Sequence, residues 1–132
     1  MKKTIVLIFF CLTINGSIAQ DKTELLVVKL NKIWREQSKI ANETKIYFNR
    51  LTGVLDINNY LLKISELDII YKSTTEKKIA YNFVSFNCQE DTKNCLTDPD
   101  NKKISGVGFN FKSKEACYRF IDLIGRLAKS NR

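Results

Sequence analysis

The side chains in this sequence that could do chemistry are four cysteines, at positions 11, 88, 95 and 117, and two close carboxylate pairs, Glu66/Asp68 and Asp98/Asp100. Cys88 and Cys95 enclose the polar run QEDTKN and follow an apolar, strand-like stretch. In an oxidising compartment such a pair is expected to close as a disulfide, which stabilises by about 2–3 kcal/mol in the chain-entropy description. Their spacing is unlike a CxxC redox centre. Cys117 falls beside Phe120, Ile121 and Ile124 on the apolar side of the last segment, so it is expected to pack as a small hydrophobe rather than act as a reactive thiol or an intermolecular bridge. Three thiols with no CxxC pair make a poor zinc set, and no metal is expected. Glu66 and Asp68, two apart on a strand-like segment, would share one face. Either carboxylate pair could bind calcium or act as acid and base, yet neither has the glycine-centred calcium-loop spacing. Solvated turn acids are the simpler reading.

There is no histidine in the 132 residues, which excludes Ser-His-Asp and Cys-His catalysis, His-bearing zinc sites and a His-held haem. GxxxxGK[ST], GxSxG and GxGxxG are also missing. No catalytic residue and no cofactor are therefore expected. The net charge of +8 invites an anionic partner, but the basic residues are scattered from Lys22 to Lys129 and never run beyond two in succession. Tyr47, Phe48, Tyr81, Phe83, Phe86, Phe109 and Phe111 alternate mostly as core residues, not as a stacking platform on a basic face. No nucleic-acid partner is expected.

The elements that must position these residues begin after an address. Lys2 and Lys3, the apolar run IVLIFFCL (residues 5–12), and Ser17-Ile18-Ala19 have the form of a secretory signal cleaved after Ala19. The apolar run is too short to span a bilayer, so the chain is not expected to be transmembrane after cleavage. Phe9 and Phe10 before Cys11 do not suit a lipoprotein signal. Cleavage removes two of the 22 basic residues and none of the 14 acidic ones, leaving a net charge of +6. Residues 20–132 carry no linker or repeat and read as one domain, periplasmic or secreted, with 44% hydrophobic residues over the whole chain to build a core.

Leu26, Leu30, Ile33, Trp34, Ile40 and Ala41 recur at helical spacing and predict an amphipathic helix from Thr23 to about Ala41. Asn42-Glu43-Thr44 breaks it and matches a glycosylation sequon, a motif frequent by chance. Strands are then predicted over residues 45–51, 54–57, 61–64 and 67–72, with Thr52-Gly53 and residues 56–59 as turns and Ser73–Lys77 as a polar hairpin loop. Residues 78–88 are apolar on both faces and predict a central, doubly covered strand. Residues 89–103 read as one long irregular loop containing the turn Asp98-Pro99-Asp100-Asn101. Residues 104–112 resume strand alternation, with Gly106 and Gly108 opposite Val107, Phe109 and Phe111, where another backbone or helix could approach. Ser113 is expected to cap a closing helix carrying Cys117, Phe120, Ile121, Ile124, Leu127 and Ala128.

The expected class is α+β: an N-terminal amphipathic helix, a curled antiparallel sheet of about five or six strands, and a C-terminal capping helix. The closing unit, residues 108–120 (GFNFKSKEACYRF), together with the inner-strand candidate residues 67–71 (LDIIY), resembles the pleckstrin-homology-like superfold. The resemblance implies a rolled antiparallel sheet and a role in binding phosphoinositides, peptides or proteins. It assigns no binding residue, and the N-terminal helix lies outside its pattern. The function expected is a small exported, non-catalytic binding or interaction module for a protein or other envelope component. Its contact loop would be residues 89–103, with Asp91, Lys93, Asp98, Asp100 and Lys102 as candidates and the Cys88–Cys95 bridge as brace. The alternatives are a carrier of a lipid or other apolar small ligand and, third, a hydrolase or redox enzyme using the carboxylates or Cys117.

Overall fold

Helix α1, over residues 22–37, buries Leu30, Ile33 and Trp34 and half-buries Leu26 and Val27, the stripe that its helical period dictates. The computed structural model describes residues 22–40 and 44–131; the leader expected at 1–19, Ala41, and the first two sequon positions lie outside the described residues. The stripe was expected to run on to Ile40, but α1 ends at Gln37 and Ile40 is exposed. The reason is competition for backbone. Ser38 forms a bridge with Phe111, Lys39 N–H donates to the Asn110 carbonyl at 2.9 Å, and the Gln37 carbonyl accepts from Lys112 N–H at 2.7 Å.

Next comes a meander: β1 (Tyr47–Asn49), β2 (Val54–Ile57) and β3 (Tyr60–Lys63), antiparallel throughout. β1 is shorter than residues 45–51 because the Asn49 side chain accepts from Leu51 and Thr52 N–H and starts the turn early. Gly53 completes that turn at φ +69°, a conformation costly for other residues. Asn58 and Asn59 form the next turn, both at positive φ, where asparagine is tolerated, while Asp56 and Ile57 remain in strand.

A 3₁₀ turn (Ile64–Glu66) leads into a long hairpin, β4 (Leu67–Glu76) and β5 (Ile79–Cys88). The polar stretch Ser73–Glu76, expected as loop, is strand: its threonines suit extended backbone, and the turn is only Lys77-Lys78, both at positive φ. Short strands β6 (Leu96–Thr97) and β7 (Lys103–Ile104) follow, then β8 (Gly106–Phe111) and α2 (Lys114–Ser130). Ser113 caps α2 as expected, its hydroxyl accepting from Ala116 N–H.

The class is α+β, with a helix at each end and eight strands among the described residues. The strands form two antiparallel sheets, β1-β2-β3-β6-β7 and β4-β5-β8, not closed into a barrel. β5 is central in its sheet, as expected, but is not covered on both faces along its length. Val84 and Phe86 are buried, whereas Tyr81 and Phe83 stand half-exposed on the other face. The close approach expected at Gly106 comes from β5: an added Cβ would lie 2.7 Å from Asn87 Oδ1 and 3.3 Å from the Phe86 backbone carbonyl.

The core is aromatic. Trp34 of α1 meets Phe109 edge-on at 5.3 Å and Phe111 at 6.0 Å, and Phe111 meets Phe120 of α2 at 5.0 Å. Phe86 and Tyr60 close on Phe109 at 5.8 and 5.6 Å. Such contacts add about 0.5–1.5 kcal/mol each beyond area burial. α1 is also tied by hydrogen bonds. Asn31 Oδ1 accepts from Ile46 N–H at 2.7 Å and its Nδ2 donates to the Ile46 carbonyl at 3.0 Å, pairing a helix side chain with the backbone that enters β1.

Candidate functional site

Residues 89–104 are held in place from the inside. The Cys88–Cys95 disulfide expected from the spacing is formed, with Cα atoms 5.7 Å apart, and it closes a turn in which Asn94 takes a positive φ. Gln89 N–H donates to the Glu66 carbonyl at 3.0 Å, and the Thr92 hydroxyl lies 3.1 Å from that same oxygen. These bonds fasten the turn to the 3₁₀ segment before β4. Leu96 and Thr97 are buried, so β6 is anchored in the core rather than looped over it.

Beyond β6, Asp98 organises a second turn. Its Oδ1 accepts from Asp100 N–H at 2.9 Å and from Lys102 N–H at 2.8 Å, while Asn101 takes the left-handed conformation at φ +64°. Lys103 Nζ donates to Thr97 Oγ1 at 2.8 Å.

The five candidate contact residues therefore do not share one role or one place. Asp98 is half-buried and spends its carboxylate on the backbone of its own turn. Asp91 and Lys93 are exposed at the disulfide-closed turn; Asp100 and Lys102 are exposed at the β6–β7 turn, on the other side of β6. The single long loop expected from sequence is two short turns flanking a buried two-residue strand. Sequence reasoning missed β6 because Leu96-Thr97 is too short to show a period.

The other chemistry-bearing residues are dispersed. Glu66 lies in the 3₁₀ turn, 3.7 Å from Lys63, and Asp68 stands exposed on β4, so the expected shared strand face does not exist. The 3₁₀ turn interrupts the alternation that would have aligned them. Among the described residues, no group of three or more Cys, Asp or Glu side chains is gathered to hold a metal ion. Cys117 is fully buried, and burial pushes its thiol up from 9.0 to about 11, so it stays protonated at neutral pH.

Trp34, Phe86, Phe109, Phe111 and Phe120 are each almost fully buried and pack the interior between the helices and the sheets. Two concavities are surface clefts open to solvent. One runs between the β1–β2 turn, Ile64, Gln89 and the end of α2; another runs along β4 beside Ile121, Ile124 and Gly125. No helix among the described residues is long and apolar enough to cross a membrane. No family model, curated protein or solved structure matches this chain.

Proposed function

We propose that this chain is an exported, non-catalytic binding module that meets a protein or other envelope component through the two turns flanking β6. One observation carries the reading. The backbone of residues 89–104 is fixed from within by the Cys88–Cys95 bridge, the Thr92 hydroxyl and the Asp98 carboxylate, while Asp91, Lys93, Asp100 and Lys102 point charge outward. A surface ordered before binding loses less entropy when a partner docks, and side chains not used for folding are free for recognition. The β8–Ser113–α2 unit supports keeping the pleckstrin-homology-like resemblance as a proposal about architecture alone, since fold does not carry function.

Site-specific photocrosslinkers at Lys93 and Lys102, with Lys129 on α2 as control, test this in the producing cell. The expected result is one discrete adduct from the two turn positions and none from the control. Adducts equally abundant from all three positions, or unchanged capture by a variant with residues 90–94 and 99–101 replaced by glycine-serine, would sink the idea.

A further inference from the structure

β4 is an outermost strand, and no described strand pairs with its far side. Its ten residues run in unbroken register with β5 and contain no proline or bulge, two of the usual devices that blunt an edge. The hairpin closes through two residues, so Glu76 and Ile79 make the hydrogen-bonded pair beside the turn. Counting back by twos, the even-numbered residues of β4 direct their amides at β5. Ile69, Tyr71, Ser73 and Thr75 direct theirs outward. The even-numbered side chains Asp68, Ile70, Lys72, Thr74 and Glu76 are all exposed. On the opposite face Tyr71 packs against Tyr118 of α2 at 5.1 Å, and Tyr118 is itself half-exposed.

We propose that this edge pairs antiparallel with the same edge of a second copy of the chain, about a two-fold axis through Ile70. Charge sets the register. The exposed face carries Asp68, Lys72 and Glu76 at steps of four, and among the described residues neither Asp68 nor Lys72 is ion-paired within its own chain. A two-fold centred on Lys72 sets lysine against lysine and Asp68 against Glu76, which repels. Centred on Ile70, it sets Asp68 against the second copy's Lys72 twice over. Centring on Thr74 also matches charge, pairing Lys72 with Glu76, but it joins only the exposed hairpin arm and buries little that is apolar.

The Ile70 register buries that side chain, 45% exposed, against its twin. It also brings Tyr71 of the second copy beside Ile69, at the cleft between β4 and Ile121 of α2. Lysine on an edge strand ordinarily opposes self-pairing. Here the acids four residues to either side make that lysine selective for register instead.

The test uses the full chain, expressed for export and purified without reductant. Sedimentation over a concentration series is expected to show reversible dimerisation. Asp68→Lys or Lys72→Asp should each weaken it about tenfold or more, and the double variant Asp68→Lys/Lys72→Asp should return it to within about threefold of the parent. All these positions are exposed, and unchanged circular dichroism verifies that the variants fold. Ile70→Cys should yield a disulfide-linked dimer under mild oxidation, because a non-hydrogen-bonded pair brings the two β-carbons together, whereas Thr74→Cys should not. A monomer at every concentration, a dimer indifferent to both reversals, or cross-linking at Thr74→Cys in place of Ile70→Cys overturns the proposal.

Discussion

Replacing Asn31 by alanine removes its two hydrogen bonds to Ile46, in the segment entering β1, and the cost can be worked from their surroundings. Ile46 is 2% exposed, so its N–H, now met by Asn31 Oδ1 at 2.7 Å, would be left in a largely dry position. A stranded buried donor costs about 1–3 kcal/mol, and the lost bond to the Ile46 carbonyl adds about 1 kcal/mol. Asn31 itself is half-exposed, so some water re-enters and a net loss of about 2–3 kcal/mol is expected. The bond to the Val27 carbonyl adds little, because that oxygen lies within α1. Urea unfolding followed by the fluorescence of Trp34, the single tryptophan, reads the effect directly. With m of about 1–3 kcal/mol/M for a chain of this size, the midpoint should fall by about 1–2 M at unchanged m. Asn31→Asp should be no better at neutral pH, since it loses the donor and sets a carboxylate against two carbonyls. It should recover at acid pH, where the protonated carboxyl donates again. A midpoint shift under about 0.3 M for Asn31→Ala would refute the reasoning and show that the Asn31–Ile46 bonds do little to hold α1.

Cys117 makes stability depend on alkaline pH. Below its ordinary value of 9.0 the thiol is protonated folded and unfolded alike; above it the unfolded thiol ionises while the folded one holds its proton to about 11. Folding should therefore lose about 2 kcal/mol through this group by pH 11, and Cys117→Ala should show a flatter decline between pH 8 and 11; parallel curves would contradict the buried thiol. Replacing Cys88 and Cys95 together by serine should cost about 2–3 kcal/mol and abolish the difference between reduced and non-reduced unfolding curves. Asp98→Ala should cost about 1 kcal/mol and speed hydrogen exchange at the Asp100 and Lys102 amides, with Asp98→Asn largely restoring protection. Equal exchange in all three proteins would show that the carboxylate does not hold this turn.

How much was legible depended on the range of the signal. The apolar stripe of α2 with its Ser113 cap, the buried face of α1 and the Cys88–Cys95 bridge all arise from neighbours within a turn or a short loop, so spacing along the chain reports them. Ser73–Glu76 looked like loop because polar threonines are read as turn formers when no apolar partner alternates with them. In the folded chain they extend as strand because β5 is there to receive their hydrogen bonds. Asn31 carried no signal: an asparagine on a helix flank is ordinary until Ile46 comes to lie beside it. The Asp68–Lys72–Glu76 pattern was present in the sequence, but its meaning depends on β4 being an edge.

The class, the cysteine pairing, the exclusion of histidine chemistry and the apolar faces that fill the core follow from local signals, because composition and short-range period act before any distant contact forms. Tertiary structure decided that the strands divide into two sheets, that α1 ends at Gln37, that residues 89–104 form two turns about a buried strand, and that β4 is left at an edge. Each of those depends on which distant backbone competes for the same hydrogen bonds. That competition is settled only when the chain closes on itself.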